Sequence, residues 1–199
     1  SKGSVTFSDT DYSGKNSNGE TVSGEHNPAN KYIITGTTTD YFIRVGNKTE
    51  DNFVTGNFII YLNGVNIKRD GKEGCACAVY NKGQSVVAII LKDRTNNILY
   101  SGYNRAGLEK SGGAAADGTL LITCEDGYAA WSSDDTHQKG HTSGIYNESA
   151  CDADCGHLDA RSGNAWKTLS STSTYYHAGA GIGTSGEGTG GSSSPGTIA

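Results

Sequence analysis

Methionine is absent from the 199 residues, and proline and tryptophan occur twice each. Leu, Ile, Val and Phe together number only 33, below the roughly 20% share under which disorder becomes the default. Disorder also needs a high net charge, and 16 basic against 21 acidic residues leave only −5. The few apolar residues come in short runs, so a packed but core-poor β protein is expected. No run approaches the roughly 20 apolar residues of a membrane span. No basic segment followed by an apolar one opens the chain, which therefore reads as a mature fragment or an excised domain. Nor is there a cluster of Lys and Arg in this acidic sequence, so nucleic acid is not an expected partner. Calcium and neutral or cation-bridged polymers stay open as partners.

Five cysteines are too few for a disulfide scaffold and odd in number. Cys75 and Cys77 lie two apart in a strand-like stretch, on one face, where they could stack in a core. Cys151-Asp-Ala-Asp-Cys155 could close a small disulfide loop or bind a metal. Without a Cys-x-x-Cys pair or a spaced His pair, zinc is the weaker reading. A buried thiol or a loop disulfide is preferred.

Glycine, serine, threonine and asparagine make up 85 residues. Residues 1–31 are polar and turn-rich and are expected to form an irregular lead-in or an N-terminal cap. From Tyr32 onward, β-type runs begin: 32–35, 41–45, 58–62, 65–67, 76–80, 86–91, 97–100 and 119–123. Each is bounded by Gly, Asn or Asp, as strands joined by turns are. No window carries an apolar stripe at helical spacing.

These runs recur. The segments 60–67, 89–99 and 121–127 line up through Leu62, Leu91 and Thr123, and 156–163 makes a fourth member. Each is an apolar strand, a polar corner and a second short strand. Repetition of that unit predicts a right-handed parallel β-helix, or β-solenoid, over 32–199. Tight corners and stacked Asn or Thr would then explain the composition. A β-sandwich is the competing architecture, since its turns have similar spacing. Residues 128–155 read as a long insertion from the solenoid body. The Gly-rich stretch 179–191 lacks Walker-A spacing and reads as close backbone approach between coils.

Three stretches in order carry a resemblance: Leu91-Lys-Asp-Arg-Thr-Asn-Asn-Ile-Leu99; then Ala106-Gly-Leu-Glu-Lys110 before Asp117-Gly-Thr-Leu-Leu-Ile122; then Gly179-Ala-Gly-Ile-Gly183. They resemble the secreted carbohydrate-binding β-helix domains of clostridia and other gut or rumen bacteria. That family is similar to pectate lyases in fold and in bound calcium, and is associated with acidic and cellulosic plant polysaccharides. The chain departs from it at Arg94, where the family has Gly, and in the 128–155 insertion.

The resemblance implies a calcium-stabilised, non-catalytic polysaccharide-binding module of a secreted or cell-surface protein. Asp93, Asp117, Asp126 and Asp159 stand at predicted corners, and Asp134-Asp135 adds an acidic pair. Stacked corners can bring the several oxygens a calcium ion needs, although turn capping by each Asp alone is the simpler role. Trp131, Trp166, Tyr175 and Tyr176 lie outside the strongest β runs and are the candidate sugar platforms. Packing as lids over the solenoid is their other reading.

Two further functions are weighed. A lyase would need a Lys or Arg base beside calcium-neutralised uronate, and Lys92, Arg94, Lys110 and Arg161 are near corners. Alternatively, terminal rungs with open strand edges would let the protein self-associate as a structural or adhesive surface module.

Overall fold

The computed structural model describes residues 3–16, 18–46, 56–69, 77–81, 84–103, 105–110, 118–126, 128, 154–163, 181–183 and 197–198. The all-β expectation holds. The described residues form fourteen strands: β1 (Val5–Phe7), β2 (Asp11–Lys15), β3 (Thr21–Glu25), β4 (Lys31–Thr38), β5 (Ile43–Val45), β6 (Asn57–Lys68) and β7 (Val79–Asn81), then β8 (Val86–Leu91), β9 (Asn96–Tyr100), β10 (Leu108–Lys110), β11 (Thr119–Cys124), β12 (His157–Arg161), β13 (Ile182–Gly183) and β14 (Thr197–Ile198). β1, β2 and β3 thus fall within the stretch expected to be lead-in or cap.

Sheet A runs in the order β13-β10-β7-β5-β1-β2-β3. Sheet B runs β12-β9-β6-β8-β11-β14, with β4 also on β6. Among the described residues, the β1–β2–β3 pairings are antiparallel and every other pairing is parallel. Parallel neighbours cannot be joined by tight hairpins and need a long crossover. The chain supplies it by visiting sheet B, then sheet A, then sheet B again: β4 to β5, β6 to β7, β8 and β9 to β10, and β11 and β12 to β13.

β6 spans a corner. Its first half pairs with β8 and its second half with β9, and Gly64 between them has φ 67°. The corresponding connection from β8 to β9 holds Arg94 at φ 58°, the one non-glycine residue with positive φ among those described. A side chain in left-handed backbone costs roughly 1–2 kcal/mol. The ion pair Arg94 makes with Asp154 joins groups that are 77% and 48% exposed, so screening leaves it little to offset that cost. Arg94→Gly is therefore expected to raise stability by about 0.5–1 kcal/mol after the extra chain entropy of Gly is subtracted. Urea titration checks this; an unchanged or lower midpoint would refute it.

Alternation decides what is inside. Phe58, Ile60 and Leu62 of β6 lie beside Val87, Ile89 and Leu91 of β8, and these beside Leu120, Ile122 and Cys124 of β11. With Ile43, Val45, Val79 and Leu108 of sheet A they form the main core. Each fully buried Ile or Leu there contributes roughly 1.5–3 kcal/mol. The opposite face of sheet B carries a second cluster of Tyr61, Ala88, Ile90 and Leu121, with Tyr128 packed on it. β8 is consequently apolar on both faces.

The register corrects two sequence alignments. Leu91 stands beside Cys124, and Thr123 beside Ile90 on the other face. A shift of one residue reverses every side chain in a strand, and buried Cys124, a small apolar residue, holds the inner place. The segment 156–163 does not start a fourth repeat. Its strand β12 pairs with β9 and so completes the pass that β11 began. Cys77 is buried and donates its thiol to the carbonyls of Val79 and Ala106 at 2.9 and 3.3 Å. Cys75, Cys151 and most of 128–155 lie outside the described residues.

At the β1 end, His26 stacks on Phe58 with centroids 4.2 Å apart, and its Nδ1 is 2.8 Å from the Tyr32 hydroxyl. Burial pushes the His26 pKa below its ordinary value. The unfolded chain then takes up the proton first, so His26 lowers stability as pH falls below about 6.5 toward the folded-state value. His26→Phe keeps a stacked ring and is expected to flatten melting temperature against pH between 7 and 5. Identical slopes for the two proteins would exclude this role.

Candidate functional site

Lys and Arg are scattered in sequence, but the parallel register gathers them. In sheet A, Arg44 of β5 lies beside Tyr80 of β7, and Tyr80 beside Glu109 of β10. Ile43 and Val45 face the core, so alternation turns Arg44 outward. Its guanidinium carbon lies 5.1 Å from the Phe42 ring centroid and 5.7 Å from that of Tyr80. Arg69 approaches Phe42 at 5.2 Å and Arg105 approaches Tyr80 at 5.7 Å. Arg105 also donates to Glu109 at 2.8 Å, the two side chains being 9% and 3% exposed.

A second row lies on sheet B. Lys68, Tyr100 and Arg161 are neighbours at the ends of β6, β9 and β12. The Lys68 ammonium is 5.5 Å from the Tyr100 centroid and the Arg161 guanidinium 4.7 Å. The Tyr100 hydroxyl donates to Asp159 at 2.8 Å. Arg161 grips the same carboxylate with two N–H donors, at 2.9 and 2.8 Å. These donors, Arg161 first, hold the Asp159 carboxyl below the usual carboxylate range, and Asp159 raises the Arg161 pKa. Lys68 and Arg69 are consecutive, so the two rows meet at the end of β6.

Four of the five arginines in the chain therefore stand against aromatic rings in one belt. A guanidinium over a ring gains cation–π attraction and is held in a fixed plane. A guanidinium edge can donate in pairs to a carboxylate or sulfate; Arg161 already does so to Asp159, and Arg105 donates to Glu109. Rings between the cations offer apolar area to a flat ligand.

Of the aspartates expected at calcium corners, Asp93, Asp126 and Asp159 are among the described residues. Asp159 is engaged by Arg161 and Tyr100 as described. The Asp93 amide donates to Glu125 at 3.3 Å, and Glu125 accepts from Lys92 at 2.8 Å. Asp126 is exposed just past β11. Among the described residues no three His, Cys, Asp or Glu side chains gather as a metal group. Asp117, Asp134, Asp135 and the platform candidates Trp131, Trp166, Tyr175 and Tyr176 lie outside the described residues. Of the bases considered for a lyase, Lys92 pairs with Glu125, Arg94 with Asp154, Lys110 is buried and Arg161 belongs to the belt.

Sequence reading missed the belt because its members are far apart along the chain. One local signal existed: Arg44 sits between Ile43 and Val45, and Tyr80 between Val79 and Asn81, each an outward place in an alternating strand. Compared with known proteins, the chain matches no family model, no curated protein and no solved structure.

Proposed function

We propose that the chain is a right-handed parallel β-helix that binds an anionic polysaccharide without cleaving it, as a module of a secreted or cell-surface protein. The repeated order of parallel strands supports the architecture: each pass through sheets B and A rests in register on the pass before it. One observation carries the ligand class. In a chain of net charge −5, four of five arginines and Lys68 converge on Phe42, Tyr80 and Tyr100. A uronic-acid polymer offers what that belt complements: carboxylates for the guanidinium edges and C–H faces for the rings. Calcium fits the same reading as a stabiliser at acidic corners or a bridge to the ligand.

Gel mobility in polygalacturonate tests the reading, with a neutral glucan gel as reference. Retardation is expected in the first gel only. Tyr100→Ala, which removes a ring face, and Arg161→Ala, which removes a charge, should each weaken binding about tenfold, and added salt should weaken it further. Retention unchanged in both variants would reject the belt, and release of unsaturated uronides would replace binding by lyase chemistry. Thermal melts with calcium and with chelator examine the ion, and superimposable curves would remove it.

A further inference from the structure

Sheet A reaches further than sheet B at one end of the molecule. β1 pairs with β5, and β2 and β3 extend the sheet beyond it. In sheet B, β4 pairs with β6 alone among the described residues. Beside the other edge of β4 lies a cleft of about 610 Å³. Its walls are Val5 and Phe7 of β1, residues 12–15 of β2, Val22 of β3, Asn16, Asn30 and six consecutive residues of β4, 31–36. Successive strand residues face opposite ways, so six in a row can line a cleft only along the strand's edge.

Two observations say what belongs there. Ile33 is 61% exposed, whereas Tyr61 and Ile90, the next members of its row, are 8% and 0% exposed. Among the described residues Ile33 has a row neighbour on one side only, as at a sheet edge. Among the described residues, the charged members of the lining are Lys15 and Lys31, both positive, above an apolar floor that includes Phe7 and Ile34.

We infer that the cleft takes an extended acidic peptide of about six residues from another protein, added as a strand beside β4. Alternate apolar side chains of the guest lie on Phe7 and Ile34, and a carboxylate meets Lys31. From Lys31 to Ile34 the edge presents N–H and C=O groups at the strand repeat, and it bends at the irregularity between Ile34 and Gly36. A second main chain matches that repeat and a saccharide does not. This site is separate from the arginine belt.

The test uses the whole chain and a fluorescent peptide, Thr-Val-Glu-Val-Thr-Val, whose carboxylate lies on the face opposite its valines, followed by anisotropy. Two N-methylated versions each block one alternate set of amides. Only one edge of an added strand faces β4, so one version should bind at least about tenfold more weakly and the other like the parent. Lys31→Glu should weaken this peptide about tenfold and favour one with Lys in place of Glu. Arg161→Ala should leave peptide binding unaltered, which separates this site from the polysaccharide surface. Absent saturation, equal effects of the two methylated sets, or displacement by oligogalacturonide would each overturn the inference, the last making the cleft a sugar subsite.

Discussion

Gly107→Ala is expected to destabilise the protein by roughly 3–5 kcal/mol, near the limit for a single substitution. An added Cβ would lie 2.6 Å from the Leu99 carbonyl oxygen and the Arg161 amide nitrogen, and 2.9 Å from the Gly181 carbonyl oxygen. All three atoms are main chain, so no side chain can turn aside to make room. The contacts belong to β9, to β12 and to the residue just before β13, so the collision would push whole passes apart. Gly64→Ala is the control. Its φ of 67° carries backbone strain, but no atom lies within 4 Å of the added carbon, and a loss of about 1 kcal/mol is expected. Urea unfolding of the two variants gives the comparison. A Gly107→Ala protein within 1 kcal/mol of the parent would show that the passes do not lie this close.

Removing Arg105 should have a comparable effect for a different reason. Its partner Glu109 is 3% exposed at the side chain, and a carboxylate at such depth is costly once its cation is gone. Arg105→Met is expected to cost roughly 3–5 kcal/mol. Replacing both residues, Arg105→Met with Glu109→Leu, should recover most of the loss, because two buried charges disappear together. The four proteins form a thermodynamic cycle, read by thermal or urea denaturation. Losses that simply add would mean that the pair is not coupled. The belt has a stake in the result, since Arg105 also stacks on Tyr80.

Much of the strand content was legible. The runs at 32–35, 86–91 and 97–100 fall within β4, β8 and β9, because short β-branched and apolar runs between turn residues are a local signal. β10 escaped because Leu108-Glu109-Lys110 reads as a charged corner, whereas all three residues are buried. The hairpin of β2 and β3 escaped because its residues are polar and mostly exposed or half-buried. Alignment of the repeats failed by one residue at Thr123. Spacing cannot say how many residues a corner absorbs, and Cys124 does not announce itself as the partner of Leu91.

The candidate site was the least legible part. The sequence puts Asp159 at a corner; that its carboxylate accepts from Arg161 and Tyr100 is seen only in the fold. Arg161 was considered as a base, and it lies over Tyr100 beside Lys68. Neither relation can be found along the chain, since these residues come from different passes.

The amino-acid order alone settles what is local: an all-β chain with a lean core and turns rich in Gly and Asn. Folding in three dimensions settles who stands next to whom. Side-chain alternation is a property of one strand. Adjacency between strands depends on the length and shape of every corner between them, and on main-chain pairing that any sequence can make. The acidic chain carries a belt of arginines because that pairing put Arg44 beside Tyr80 and Arg161 beside Tyr100.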